Sequence, residues 1–393
     1  MNRNFSLANQ AIIYVHTPAG LAAAVEDLQK APRLSLDLEF DRNRFHYGIT
    51  LCLVQVATEN TCYIIDPLAL KQQLQRLFVL FEDSKIQKII HSSDEDVRIL
   101  KYYGCNLTNL YDTSLAVRLL NYEQFSLGYL LQDKLGLEVD KKLQKSNWHA
   151  RPLTEAHLRY AASDVIYLQT IKGLIDEELQ AKDLVQWHEE ECRFLLSKAQ
   201  PLTPDEEGED GLSLDGFFGR LSPARQYLYQ KLWSFRDQYA KNLDSPPGML
   251  VSAKSLKLIV QQSEEEFEQW YALRLQERGQ RSVEFTKTLG RLWPAYWKEA
   301  DEQGLSDKVS YSRVSAEEIQ RRNRIKMEVF KPIQDRLAAK YGVFAVRYFF
   351  SMRLIEDLVA GHLHLSDWKI CSKRLEAIET AAAELKIDLT PYR

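Results

Sequence analysis

The chain has 393 residues, 45% hydrophobic and 27% charged, a globular balance with room for two or three domains. No run of 18 apolar residues and no long apolar leader core occur, which argues against a transmembrane helix and a secretory signal. Five scattered cysteines without a CxxC pair point to a reducing cytosol and away from a zinc site. The net charge of −4 is unevenly spread: residues 1–210 hold 22 basic and 31 acidic side chains, and residues 211–393 hold 29 and 24. An acidic front and a mildly basic back fit a metal-binding catalytic part joined to a part that grips nucleic acid, although ordinary variation between domains gives the same pattern.

In chain order, "GLAAAVEDLQK" (20–30) reads as a helix, followed by strands in "RLSLDLEF", "ITLCLVQVAT" and "CYIIDP". "LKQQLQRLFVLFEDS" is an amphipathic helix, "KIQKIIHSS" a strand, and "DEDVRILKYYG" a helix with an acidic first turn, as the helix dipole prefers. From residue 107 to about 199 the pattern is helical, with breaks near Gly136 and Pro152. Strands followed by helices around a sheet imply a mixed α/β domain. "AQPLTPDEEGEDG" (199–211) is the best linker in the chain. Beyond it the pattern is helical, with Ser222 as an N-cap, Pro223 at the first helical position, and cap-like serines opening "SAKSLKLIVQQ" and "SEEEFEQWYALR".

The candidate chemistry begins in "RLSLDLEFDR". Leu34, Leu36 and Leu38 alternate with Ser35, Asp37 and Glu39, so the two acids project from one face of a strand, roughly 6.5–7 Å apart. "HSSDEDVRIL" places Asp96 at a strand-to-helix junction beside Asp94 and Glu95, which are read as helix-start acids. "LYDTSLAVRLL" carries Asp112, taken as a cap or a supporting partner. "LRYAASDVIYL" carries Tyr160 and Asp164 one helical turn apart on one face. Hard divalent cations take oxygen ligands, and such a set of acids could hold two of them roughly 3.5–4 Å apart.

"DLEF", "HSSDED" and "YAASD" resemble the three motifs of the DEDD 3′→5′ exonucleases, in order and spacing, over about residues 10–195. The third has Tyr-x-x-x-Asp, with Arg159 before the tyrosine, which places it in the DEDDy branch. "WHARPLTEAHLRYAASDVIYL", "YIIDPL" and "YDTSLAVRLL" are similar to the ribonuclease D family. "RLSPARQYLYQKLWSFRDQYAKN" resembles the start of an HRDC domain, and "FFSMRLIEDLVAGHLHLSDWKICSKRLEAI" a second, weaker HRDC-like unit. The resemblance implies an α/β ribonuclease H-like exonuclease domain over 1–199, a linker over 200–212, an HRDC domain over 213–292, a connector over 293–314 and a helical domain over 315–393. It implies two Mg²⁺ or Mn²⁺ ions on Asp37, Glu39, Asp96 and Asp164, with Tyr160 orienting the attacking water. The expected reaction is hydrolytic removal of 3′-terminal nucleotides as 5′-monophosphates, by a monomeric cytoplasmic protein, from structured RNA such as tRNA precursors. Leu38 stands where that family usually has Thr, and its side chain is expected to face away from the metals.

Several residues are candidate RNA contacts. His91 opens the second motif, with a buried structural histidine as the bland alternative. Arg42, Arg44, Phe45, His46 and Tyr47 form a basic-aromatic loop after the first motif, a mix suited to phosphate contact and base stacking. Arg321, Arg322, Arg324 and Lys326 form a basic run that is equally readable as a solvated helix face. A DNA exonuclease, or a non-catalytic RNA-binding protein on an exonuclease fold, are the alternatives. All four acids are present, which disfavours the second. A chain ending near residue 205 is expected to fold alone, with the back half as the separate RNA grip.

Overall fold

Leu34, Leu36 and Leu38 are all buried, and they make β3 (Arg33–Arg42) an interior strand of the sheet. The structure, a computed structural model, describes residues 5–138, 141–203, 217–275, 280–309, 315–368 and 371–393. The other strands are β1 (Phe5–Leu7), β2 (Gln10–Val15), β4 (Ile49–Ala57), β5 (Thr61–Ile65), β6 (Gln87–Ile90) and β7 (Leu110–Asp112). Their order is β1-β2-β5-β4-β3-β6-β7. β1 with β2 and β4 with β5 are antiparallel, whereas β2 with β5, β3 with β6 and β6 with β7 are parallel, so the sheet is mixed. β1, β2 and β7 go beyond the sequence expectation. β7, inside the segment read as helical, has only three residues and is too short to show a period of two.

Among the described residues eight helices accompany the sheet: α1 (Pro18–Leu28), α2 (Gln75–Glu82), α3 (Asp94–Tyr102), α4 (Thr113–Leu119), α5 (Leu127–Leu135), α6 (Glu155–Ser163), α7 (Leu168–Ala181) and α8 (Val185–Lys198). Local signals set their ends. The Thr17 side chain accepts from Gly20 N at the start of α1, and Gly136 closes α5 in the left-handed conformation, φ +68°, that glycine adopts without a Cβ penalty.

The chain divides into two compact units. One comprises Met1–Glu39, Leu51–Leu202 and Val314–Arg393, and the other Phe40–Thr50 and Thr203–Arg313. The second holds α9 (Pro223–Asn242), α10 (Ala253–Gln261), α11 (Glu264–Leu275) and α12 (Gln280–Glu302), around Leu228, Leu232, Leu256, Phe267, Phe285 and Trp293. Ser222 and Ser252 cap α9 and α10 as expected. The stretch read as a connector from residue 293 instead begins inside α12, and Trp293 is buried. Residues 204–212 of the expected linker lie outside the described residues.

The C-terminal segment holds α13 (Ala316–Ile325), α14 (Lys331–Tyr341), α15 (Val343–Phe349), α16 (Met352–Ala360) and α17 (Ser372–Glu384). It does not stand alone, because Phe330, Leu337, Val346, Phe349 and Ile355 share one core with Ile89, Ala116, Leu131, Ile171 and Trp187. The Trp187 ring lies 4.8 Å from Phe349 and 5.2 Å from Tyr341. Beside this core Glu191 accepts from Arg374 Nη2 at 2.5 Å and Nε at 3.1 Å, from Tyr348 Oη at 2.8 Å and from Trp187 Nε1 at 3.0 Å. Burial alone would raise the Glu191 carboxyl, but Arg374, with the Cys371 and Tyr348 donors, holds it below the usual carboxylate range. Glu190 accepts from Ser372 Oγ and Lys373 N, both at 2.8 Å, at the first turn of α17.

This corrects the expectation that a chain ending near residue 205 folds alone: such a truncation uncovers that core and strands Glu191 without its cation. Arg374→Met removes one partner of a buried pair and is expected to destabilise the sheet-bearing unit by about 3–5 kcal/mol. Urea titration followed by tryptophan fluorescence checks this; an unchanged midpoint would show that the clasp carries no weight.

Candidate active site

β3 presents Asp37 and Glu39 on the face opposite its buried leucines. α3 begins directly after β6 and the Ser92–Ser93 corner, and its first turn carries Asp94, Glu95 and the buried Asp96. Asp112 builds that corner. It accepts from Ser92 N at 3.1 Å, Ser93 N at 2.8 Å and Ser93 Oγ at 2.7 Å, and it caps α4 through Ser114 N at 2.7 Å. Burial would raise the Asp112 carboxyl, but His91 and the Ser93 and Ser114 donors hold it below the usual range. It is a structural hub, as the sequence suggested.

α6 supplies the third motif. The loop before it is held by Arg151, whose guanidinium forks onto the buried Asp66 at 2.6 and 2.8 Å and also donates to the carbonyls of Trp148 and Cys52. Leu158, Ala161 and Ala162 turn inward, and the Tyr160 ring sits 6.0 Å from that of the buried Trp148. Asp164 is the C-cap of α6, where the negative end of the helix dipole disfavours a carboxylate and favours a cation.

Carboxylate oxygens of Asp37, Glu39 and Asp164 lie within 4.8 Å of one another. Burial, then the charges of Asp164, Asp96 and Glu39, hold the Asp37 carboxyl well above its ordinary value. Burial and the charges of Asp164 and Asp96 push Glu39 to about 9. Burial, with Asp112 and Glu95, pushes Asp96 to about 8, and burial pushes Asp164 to about 7. The Leu38 backbone lowers both the Asp37 and the Asp96 carboxyl, so residue 38 contributes through its backbone while its side chain is buried. The Tyr160 hydroxyl is pushed far up by burial and by Asp164, Glu39 and Asp37. Crowded hard oxygen donors, mutually repelling and with no basic side chain among their main electrostatic neighbours, fit a divalent cation.

Residues 12–180 match the 3′-5′ exonuclease family. Over that segment the chain is also similar to ribonuclease D. Ribonuclease D of Shewanella sp. (strain ANA-3) is 37% identical over 195 residues, 49% of each chain. The exosome complex exonuclease RRP6 of Saccharomyces cerevisiae is 30% identical over 261 residues, 63% of this chain and 36% of that protein. The chain spans less than two thirds of the length of these curated relatives. The crystal structure of Escherichia coli RNase D superposes with a TM-score of 0.70 at 22% identity, covering 94% of this chain and 98% of that one. That likeness concerns the fold alone: a mixed sheet flanked by helices, followed by a helical back half.

The RNA-contact candidates fare differently. Tyr47 packs against the helical core of the second unit and donates its hydroxyl to Asp237 at 2.8 and 2.9 Å, so it is an anchor rather than an open stacking platform. His46 Nδ1 lies 3.0 Å from Asp244. The buried Asp41 accepts from the backbone N–H groups of Arg44, Phe45 and His46 and shapes this loop, where the Arg44 guanidinium lies 4.9 Å from the Phe45 ring. Arg42 and Phe45 are half-buried and Arg44 is exposed. His91 Nδ1 lies 2.8 Å from Thr113 Oγ1, its Nε2 is buried with no hydrogen-bond partner among the described residues, and burial lowers its pKa. Arg321 forks onto Glu318 at 2.6 and 2.8 Å, Arg322 Nε donates to it at 2.7 Å, and Lys326 lies 3.4 Å from Glu356, which among the described residues leaves the exposed Arg324 as the open cation of that run.

Asp37→Asn removes one of the repelling charges. It is expected to raise the melting temperature of the metal-free protein by about 2–4 °C, the effect of roughly 1 kcal/mol, and to abolish the further rise that Mn²⁺ gives the unaltered protein. Differential scanning calorimetry in chelator and in Mn²⁺ checks both. A variant that melts lower than its parent in chelator would show that the carboxylates do not strain the fold.

Proposed function

We propose that the chain is a metal-dependent 3′→5′ exoribonuclease acting on RNA 3′ ends in the cytosol, tRNA precursors among them. The observation that carries this reading is the convergence of the Asp37, Glu39 and Asp164 oxygens within 4.8 Å, inside a 3′-5′ exonuclease domain. The names of the relatives, ribonucleases of bacteria and of the exosome, favour RNA over DNA.

Asp37, Glu39 and Asp164 would hold one cation, and Asp37 with Asp96 would support a second. Bound divalent cations supply a hydroxide near neutral pH and charge compensation for the departing oxygen. Tyr160 keeps its proton, since its neighbours are three carboxylates, and it works as a hydrogen-bond donor that aligns the attacking water. The water oxygen forms a bond to the last phosphorus in line, the bond to the 3′-oxygen breaks, and that oxygen takes a proton. The product is a nucleoside 5′-monophosphate and an RNA one nucleotide shorter.

With 5′-labelled RNA and Mg²⁺, a descending ladder from the 3′ end is expected. Asp37→Asn should retain less than a tenth of the turnover while still binding RNA in Ca²⁺. Tyr160→Phe should lower turnover by roughly 10- to 1000-fold with little change in affinity, the scale of one lost positioning hydrogen bond. Endonucleolytic products, or full turnover by Asp37→Asn, would overturn the reading.

A further inference from the structure

α4 with the loop after it, and α15 of the C-terminal segment, enclose a cavity of about 360 Å³ lined by Arg118, Glu123, Phe125, Phe344, Arg347 and Tyr348. The Arg118 guanidinium lies 3.8 Å from the Phe125 ring centroid and 5.5 Å from that of Tyr348. Among the described residues it makes no hydrogen bond and no ion pair, and its Nε is buried without a partner. A half-buried fork of five donors facing no acceptor is uncommon in a folded protein. Arg347 is exposed, 5.6 Å from the Phe344 ring, and Phe125 keeps 40% of its surface open.

The nearby carboxylates are otherwise engaged. Tyr122, also at this cavity, gives its hydroxyl to Glu178 at 2.9 Å, and Tyr348 gives its own to Glu191 at 2.8 Å. Glu123 is the one acidic side chain in the lining, against two guanidinium groups. The cavity also adjoins the second motif. The Arg118 charge is felt at His91, which stands just ahead of the corner that starts α3.

We propose that this cavity is a second RNA subsite, which takes a nucleotide upstream of the 3′ end with its phosphate on Arg118 and Arg347 and its base against the Phe125 or Phe344 ring. The inference rests on the exoribonuclease reading and adds a place to it. Aromatic rings interleaved with guanidinium groups are the chemistry that holds single strands without reading sequence. The site joins two segments more than 200 residues apart, so it exists only because α15 packs on the exonuclease domain.

The test uses the full chain with Asp37→Asn, in Ca²⁺, and fluorescein-labelled oligoadenylates of two, four and eight nucleotides. Adding Arg347→Gln, a surface change, or Arg118→Gln is expected to weaken octamer binding about 3- to 10-fold, more than dimer binding. The slope of log affinity against log salt should become shallower by about 0.7 per lost phosphate contact. Octamer affinity equal to the parent's at every salt concentration, while the unaltered chain digests RNA, overturns the subsite alone. Loss of free adenosine 5′-monophosphate binding as large as the octamer's makes it a product site and also overturns it. Failure of the unaltered chain to digest RNA, with no octamer binding by its Asp37→Asn form, overturns the exoribonuclease reading with it.

Discussion

Repulsion among buried carboxylates is the constraint on which this structure turns. Asp37 and Glu39 are forced onto one face by the strand period, Asp164 is set at the unfavourable end of a helix, and Asp96 is packed beside them. Each would sit more comfortably in water. The surrounding fold holds them together: three leucines bury the other face of β3, Asp112 ties the corner that aims α3, and the Arg151–Asp66 fork secures the loop that leads into α6. A cation converts that repulsion into affinity, and the same crowding keeps the Tyr160 hydroxyl protonated.

The sheet-bearing unit needs more chain than its exonuclease motifs span. α8 offers two consecutive glutamates to the C-terminal segment: Glu190 meets the start of α17, and Glu191 is enclosed by Arg374, Tyr348, Trp187 and Cys371. A buried ion pair is weak evidence of net stability, but it is strong evidence of register, because a slipped α17 leaves a charge buried without its partner. All five cysteines are free and buried, so no covalent link takes part.

Much of the site was legible because its signals are local. Period-2 alternation exposed Asp37 and Glu39, the strand-to-helix change exposed Asp96, and one-turn spacing linked Tyr160 to Asp164. What stayed hidden depends on contacts distant in sequence. Tyr47 reads as a stacking residue until Asp237, 190 positions away, takes its hydroxyl. Arg321 and Arg322 read equally as a phosphate grip or a solvated helix face until both close on Glu318. The charge imbalance suggested a detachable basic back half, yet Phe330, Leu337, Val346 and Phe349 of the C-terminal segment share a core with the exonuclease helices. No pattern within either segment announces that Arg118 and Arg347 line one cavity.

The central claim, that the crowded carboxylates are held together in order to be bridged by metal, is tested most directly by Mn²⁺ titration followed by electron paramagnetic resonance. The account predicts two ions bound per chain with a spin-coupled signal, as expected for separations of about 4 Å, and loss of the coupled signal in Asp37→Asn. A chain that binds no Mn²⁺, or an Asp37→Asn variant whose spectrum matches that of its parent, would contradict it.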